Sequence, residues 1–212
     1  HSVIGLVYIH YALKGLLNLN NKQKKNVIKQ IDEVLQKDYT DLGNSEESKV
    51  TDILKQSYTD AYKKTADLID EKPELNPKQV DDAVHTPIDD EMFSKRIWDN
   101  KQKLIDNLKK AVDDILNGDK TIDEAAKEIE EIFDVAAYQS KRLLETELAR
   151  VHAKAIIDLA KKTDIKKLMW SATFENSCKE CMALDGKVFD INHVPKIPKH
   201  PNCKCLLIPY IE

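Results

Sequence analysis

The stretch that decides how the C-terminal part of this chain folds is Cys178-Lys-Glu-Cys181, followed after a turn-rich gap by His200-Pro-Asn-Cys-Lys-Cys205. All four cysteines of the chain lie within these 28 positions. Two short-spaced pairs of this kind can close around one tetrahedral metal ion, because each pair supplies two ligands from a single turn. The sequence therefore predicts a small module that is held together at this cluster.

Five side chains are candidate metal ligands, one more than a tetrahedral ion needs: Cys178, Cys181, His200, Cys203 and Cys205. The first two can combine with His200 and Cys203, with Cys203 and Cys205, or with His200 and Cys205. Zinc is the expected ion, because thiolates bind this borderline-soft, redox-silent metal strongly. The alternative is that the thiols form two disulfides or stay free. Either way the cluster is expected to be structural and not catalytic, because protein groups fill every coordination position.

The residues around the cluster predict a strand-and-loop unit. The run 168–174 is β-prone and roughly alternates between apolar and polar residues, and the short runs 187–189 and 205–208 predict two more strands. Three prolines between positions 195 and 201 keep that part of the chain out of regular structure. A unit this small lacks enough core to fold unaided, which favours a metal or disulfide staple.

Upstream of this unit the apolar residues repeat with helical spacing. The pattern predicts a helix over 22–37, a loop at Asp41–Ser45, and a second helix that Ser45 caps. Asn76-Pro77 and Thr86-Pro87 each resemble an N-cap followed by proline at the first helical position. They predict a short helix near 77–84 and a long one from Pro87 to about Asn117, where Gly118 can end it.

The next signals continue the helical pattern. Thr121-Ile-Asp-Glu124 is a capping box that predicts a helix start. After Asp134 we expect another long helix, which ends at about Lys162. The apolar residues 2–17 are interrupted by His10 and Lys14, so they predict a buried or partner-docked helix that is short for a bilayer span.

Composition agrees with a mainly α-helical N-terminal region and a small C-terminal α+β module stapled by Cys/His. Charged residues make up 33% of the chain and glycines number five, which is typical of a helical protein. The net charge of −4 argues against a surface that wraps nucleic acid throughout. We predict an N-terminal helical region (1–70), a Pro-containing hinge (71–90), a long-helix region (91–162) and a Cys/His-rich module (163–212).

For the other polar residues singled out in the sequence we expect no catalytic role. His193 lies in a segment with superficial similarity to His-Asn-His nucleases, but the nineteen residues after it leave little room for a metal-binding helix, so a loop histidine is expected. His152 is predicted to be a solvated or capping histidine, and Glu145, Glu147 and Asp158 to be solvated carboxylates. Residues 161–205 contain nine lysines against five acidic residues, which suits either a phosphate-facing patch or a solvated face.

Taken in order, these residues resemble the C-terminal signature of the phage head morphogenesis proteins, also called Mu F-like minor head or minor capsid proteins. That signature is a Trp near a strand start, a Cys-x-x-Cys, a Leu-Asp-Gly turn and a His-Pro-Asn-Cys-x-Cys close. The matching residues are Trp170, Cys178–Cys181, Leu184–Gly186 and His200–Cys205. A long helix bearing Thr146-Glu147 is also similar, although Glu145 stands where the family often has arginine. The resemblance covers roughly 115–209.

The resemblance implies a non-enzymatic phage or prophage protein that acts in capsid (head) morphogenesis. It implies the portal protein, scaffold and capsid proteins as partners, with double-stranded DNA as a further one during packaging or ejection. It places the protein in the head interior or at the portal vertex of the virion, and in the host cytoplasm during assembly. Neither a membrane nor a small-molecule substrate is expected. The alternatives are an HNH-like nucleic-acid-processing enzyme that uses His193, and a zinc-stabilised DNA-binding module that uses Lys196, Lys199 and Lys204.

Overall fold

A computed structural model describes residues 19–172 and 177–211, and within them the chain is mostly helical with one small sheet. The helices are α1 (Asn21–Leu68), α2 (Pro77–Val84), α3 (Phe93–Asn117), α4 (Ile122–Lys162) and α5 (Lys179–Met182). The strands are β1 (Lys167–Ser171), β2 (Val188–Asp190) and β3 (Leu206–Tyr210). This confirms the predicted fold class. The predicted helix over 2–17 and the end of the 168–174 run lie outside the described residues.

The chain divides into two compact units, and the boundaries fall inside helices. Unit 1 comprises the residues up to Glu46 together with Ile97–Ser140. Unit 2 comprises Glu47–Arg96 and Lys141–Glu212, and it contains all five candidate ligands. Among the described residues no helix combines the length and apolarity that crossing a membrane requires.

The loop predicted at Asp41–Ser45 is wrong, because α1 continues through it. Gly43 is buried in unit 1, and an added Cβ there would collide with the Trp98 ring. This glycine therefore permits close packing between backbone and indole and does not break the helix. A glycine read from sequence alone signals a turn, but a contact between distant residues can require it equally well.

The start of α2 is confirmed, whereas the predicted start of α3 is wrong. Asn76 caps α2 by accepting the backbone N–H of Lys78, with Pro77 in the first turn. Thr86-Pro87 begins no helix, because Ile88 and Glu91 exchange backbone hydrogen bonds across a tight turn. Asp89 and Asp90 in that turn have φ values of 50° and 62°, a left-handed conformation that short polar residues tolerate. Helix α3 starts only at Phe93.

The start of α4 agrees with the local sequence signals, whereas the break predicted in its middle does not occur. Gly118 follows α3 with φ of 82°, as a helix-ending glycine should. In the capping box, Glu124 accepts the backbone N–H of Thr121, and Thr121 accepts that of Glu124. The predicted break near Asp134 is wrong: α4 runs on to Lys162, with Asp134 on its exposed side.

The three predicted strands form an antiparallel sheet with the order β2-β1-β3. Leu168 and Trp170 of β1 and Leu207 of β3 are buried on one face. They share a buried cluster with Ala149, Ala153 and Ile156 of α4. Alternation along β1 and β3 therefore faces one side of the sheet toward α4, and this places the cysteine-bearing loops beside that helix.

Candidate metal centre

The cysteine cluster lies at the edge of the sheet's buried face. Cys181, Cys203 and Cys205 are each 1% exposed and belong to the same buried cluster as Trp170. The Leu-Asp-Gly turn returns the chain from α5 to β2: Asp185 accepts the N–H of Ala172, and Gly186, with φ of 72°, donates its N–H to Trp170. The turn thus fixes the first pair of cysteines against β1.

The first pair of ligands comes from a short helical turn. Cys178 caps α5, and its sulfur accepts the backbone N–H of Cys181 at 3.4 Å. This bond and the nearby N–H of Glu180 lower the pKa of Cys178 and so favour its thiolate. The sequence did not predict α5, yet its single turn is what directs the two sulfurs to one side.

The second pair comes from a turn of the same length. The Cys203 N–H donates to the His200 carbonyl at 3.1 Å, and Asn202 has φ of 61°. A Pro-Asn pair at the centre of a four-residue turn suits a positive φ at its second central position. The His200 Nδ1–H donates to the Pro201 carbonyl at 2.8 Å, so in a neutral ring the lone pair is on Nε2.

The two turns bring their ligand atoms together. The ligand atoms of Cys178, Cys181 and His200 lie within 4.8 Å of one another, as do those of Cys181, Cys203 and Cys205. Cys181 Sγ lies 3.4 Å from His200 Nε2 and 4.0 Å from Cys203 Sγ. With zinc–ligand bonds of about 2.3 Å for sulfur and about 2.0 Å for nitrogen, a tetrahedral site separates two sulfurs by about 3.8 Å and a sulfur and a nitrogen by about 3.5 Å. The Cys181–His200 and Cys181–Cys203 distances therefore match those around a tetrahedral zinc ion, and the two groups of ligand atoms share Cys181.

The thiols are not paired as disulfides. All four cysteines are free, and the 4.0 Å between Cys181 and Cys203 is about twice an S–S bond. Burial raises the pKa of Cys181 above its usual range and that of Cys205 to about 11. Buried thiols of this kind become thiolates when a cation replaces their protons.

Thr146 connects the second turn to α4. Its hydroxyl donates to the Arg142 carbonyl at 2.6 Å and accepts the Asn202 N–H at 3.0 Å. Elsewhere in unit 2, Lys196 forms an ion pair with Asp89 at 2.5 Å. The segment that carries His200 and Cys203 is therefore tied to elements far from it in sequence.

Glu147, next to Thr146, was predicted to be solvated, and this is wrong: its side chain is 1% exposed. The carboxylate accepts from Arg150 Nε at 2.6 Å and from Arg96 Nη1 at 3.3 Å. Arg150 also donates to the carbonyls of Ala83 and Val84. These bonds pair the buried charges, as burial requires.

A sequence signal for this burial existed. Glu147 lies four residues after Leu143 and four before Val151, both buried, so it occupies the apolar stripe of α4. Thr146 had no comparable signal, because its partner Asn202 lies 56 positions away. The loop that it holds could only be placed once the fold was known.

The remaining candidates lie outside the cluster. His152 is neither solvated nor a cap: it is half-buried, its Nε2 lies 2.5 Å from Ser57 Oγ, and burial lowers its pKa. Asp158 is largely buried and accepts the Tyr58 hydroxyl at 2.7 Å. His193 is 84% exposed beside Asp190. In the described residues after it, 194–211, β3 is the only regular element.

Comparison with known proteins gives one match. Residues 106–208 match the family model described as "Phage Mu protein F like protein". This range contains α4, the sheet and every candidate ligand. No curated protein and no solved structure matches the chain. This match confirms the resemblance seen in the sequence: residues 106–208, just under half of the chain, are similar to the Mu F-like family of phage head proteins.

Proposed function

We propose that this protein is a structural component of a phage or prophage head and acts in head morphogenesis. The observation that carries the proposal is the family match over 106–208, since it includes the module built around the cysteine cluster. The protein then belongs in the virion, in the head interior or at the portal vertex, and in the host cytoplasm during assembly.

The proposed partners are the portal protein, the scaffold and the capsid proteins. Long helices support this role, because α1 and α4 span 48 and 41 residues and carry exposed apolar side chains such as Val34, Leu42 and Tyr138. Side chains of this kind often contact partners. Double-stranded DNA is a further proposed partner, and the lysine excess of residues 161–205 supports it.

The role in the head can be tested in the phage itself. Deletion of the gene from the phage or induced prophage should yield defective heads, and the wild-type gene supplied in trans should restore them. Mass spectrometry of purified virions should detect the protein. Intact, infectious virions without it would contradict the proposal.

We further propose that the cluster holds one structural zinc ion through Cys178, Cys181, His200 and Cys203. His200 Nε2 points at Cys181, and three thiolates with an imidazole leave one negative charge in a buried site where four thiolates would leave two. Cys205 is then the spare ligand. When bound, the ion supplies cross-linking of the two turns, and with four protein ligands it has no open position for a reacting water.

Metal analysis of reduced, full-length protein tests this assignment. One zinc per chain is expected for the wild type, loss for Cys181→Ser and retention for Cys205→Ser. His193→Ala serves as the matched control, because it removes an exposed histidine outside the cluster. Wild-type protein that binds no zinc would contradict the zinc site. A Cys205→Ser variant that loses zinc would contradict the proposed ligand set.

The non-enzymatic interpretation has its own test. His193 is exposed and no helix follows it within the described residues, which disfavours a His-Asn-His nuclease. Purified protein with Mg²⁺ or Mn²⁺ should therefore leave DNA uncut. Cleavage that disappears in the His193→Ala variant would establish the enzyme instead.

A further inference from the structure

The peptide unit between Pro201 and Asn202 is held on both sides. Its N–H donates to Thr146 Oγ1 at 3.0 Å, and its carbonyl oxygen accepts from His200 Nδ1 at 2.8 Å. Asn202 has φ of 61°, and this peptide is the central one of the turn that the Cys203 N–H closes on the His200 carbonyl. Thr146 and His200 therefore meet the same rigid group from opposite ends.

The Thr146 hydroxyl can hold this peptide in only one way. Its proton goes to the Arg142 carbonyl at 2.6 Å, so the oxygen is left as an acceptor and can receive only a donor such as the Asn202 N–H. The side chain is 8% exposed and stands on α4, directly before the buried Glu147. Thr146 thus offers a fixed acceptor on a rigid helix.

The carbonyl end of the peptide determines the tautomer of His200. A carbonyl oxygen only accepts, so Nδ1 carries the proton and Nε2 has the lone pair, 3.4 Å from Cys181 Sγ. A ligating histidine usually donates its second ring N–H to a carbonyl or carboxylate, which fixes the ring and its tautomer. Pro201 supplies that acceptor here.

We propose that Thr146 is a positioning residue for the metal centre: it orients the Pro201–Asn202 peptide, and this peptide orients His200 for coordination through Nε2. The inference rests on the proposed zinc site. It predicts that a residue with no contact to the ion controls how tightly the ion is bound. Outer-shell residues of this kind typically change metal affinity about 10- to 100-fold.

The test measures zinc affinity by competition with a chromogenic chelator, using reduced full-length protein. Thr146→Val keeps the side-chain shape and removes the acceptor, and we expect about a tenfold or greater loss of affinity. Thr146→Ser keeps the hydroxyl and should restore most of it. Thr59→Val is the matched control: Thr59 makes the same bond to the carbonyl four residues before it, in α1, and should leave affinity unchanged.

Two further measurements separate this role from a general effect on folding. With Co²⁺ in place of zinc, Thr146→Val should alter the visible absorption bands of the bound ion, whereas Thr59→Val should not. In a His200→Ala background, Thr146→Val should cause little additional loss of affinity, because the ligand that it positions is gone.

The outcomes distinguish the two proposals. Wild-type zinc binding with unchanged affinity in Thr146→Val would overturn the positioning role and leave the zinc site standing. An equal loss in the presence and absence of His200 would also overturn it, because Thr146 would then act on the loop as a whole. Absence of zinc from the wild type would overturn the site itself.

Discussion

The two compact units differ in where they keep their polar groups. Among the residues that the structure describes, the buried polar or charged ones are Thr65, Thr146, Glu147 and Arg150, and all four belong to unit 2. In unit 1 the ion pairs described lie in partly exposed positions, as in Lys109–Asp32 and Lys29–Glu33. Polar interactions should therefore specify the structure of unit 2 far more strictly than that of unit 1.

The reason is that losing one partner of an ion pair costs far more free energy when the pair is buried than when it is exposed. An exposed ion pair contributes about 0–1 kcal/mol, because water solvates either partner once the other is removed. A buried charge has no such substitute, so loss of its partner costs about 3–5 kcal/mol. Changes in unit 2 should have effects that are large and specific, whereas those in unit 1 should be smaller.

Removal of the proposed zinc ion should have the largest effect and should be confined to unit 2. A structural zinc site contributes an apparent 10–16 kcal/mol in small zinc domains, at about pH 7. Treatment with a strong chelator should therefore abolish hydrogen-exchange protection in β1, β2 and β3, while the part of α3 in unit 1 keeps its protection. Equal loss in both units would show that their stabilities are not separable.

Glu147→Ala should have the next largest effect, because it leaves the Arg150 guanidinium buried without its carboxylate and deprives Arg96 of a partner. We expect a loss of about 3–5 kcal/mol in the free energy of unfolding, measured by urea denaturation. Glu33→Ala in unit 1 is the control and should cost less than about 1 kcal/mol, because its pair with Lys29 is well exposed. Similar losses of unfolding free energy for the two variants would show that buried polar groups do not specify unit 2 more strictly than unit 1.

Gly43→Ala should have an intermediate effect and tests the packing of unit 1. The added methyl group would collide with the Trp98 ring, so α1 or the indole must shift, at a cost of about 1–3 kcal/mol. In a Trp98→Leu background the same change should cost much less, because the obstructing ring is absent. A Gly43→Ala variant as stable as the wild type would show that α1 and the indole accommodate the methyl group without cost.

The same contrast explains what the sequence could predict. Signals that act within a few residues were interpreted correctly, such as the Asn76 cap, the stop at Gly118 and the capping box at Thr121. The order of the strands' apolar residues also predicted the sheet, since alternation reflects burial on one face. The sequence could single out the five side chains that the structure brings together because short spacing of cysteines is itself a local pattern; that they bind a metal stays a prediction.

Features that depend on distant residues were missed. Gly43 resembles a helix break until Trp98, 55 positions later, is seen against it. Glu147 resembles a surface carboxylate until two arginines are placed around it. The position of the loop that Thr146 holds follows from a hydrogen bond across 56 positions that no local pattern encodes.

The capping box at the start of α4 should show the smallest effect, and its dependence on pH identifies it. The backbone N–H of Thr121, and then its hydroxyl, donate to Glu124 and lower the pKa of this carboxyl. A lowered folded-state pKa means that the charge stabilises unit 1 above the unfolded pKa, about 4.3, and that this contribution is lost as the pH falls through the folded value. Glu124→Gln keeps the reciprocal bond but removes the charge.

The difference in unfolding free energy between Glu124→Gln and the wild type should therefore be constant near neutral pH and shrink toward zero in acid. A difference that does not change with pH would mean that the charge of Glu124 is not what stabilises the cap.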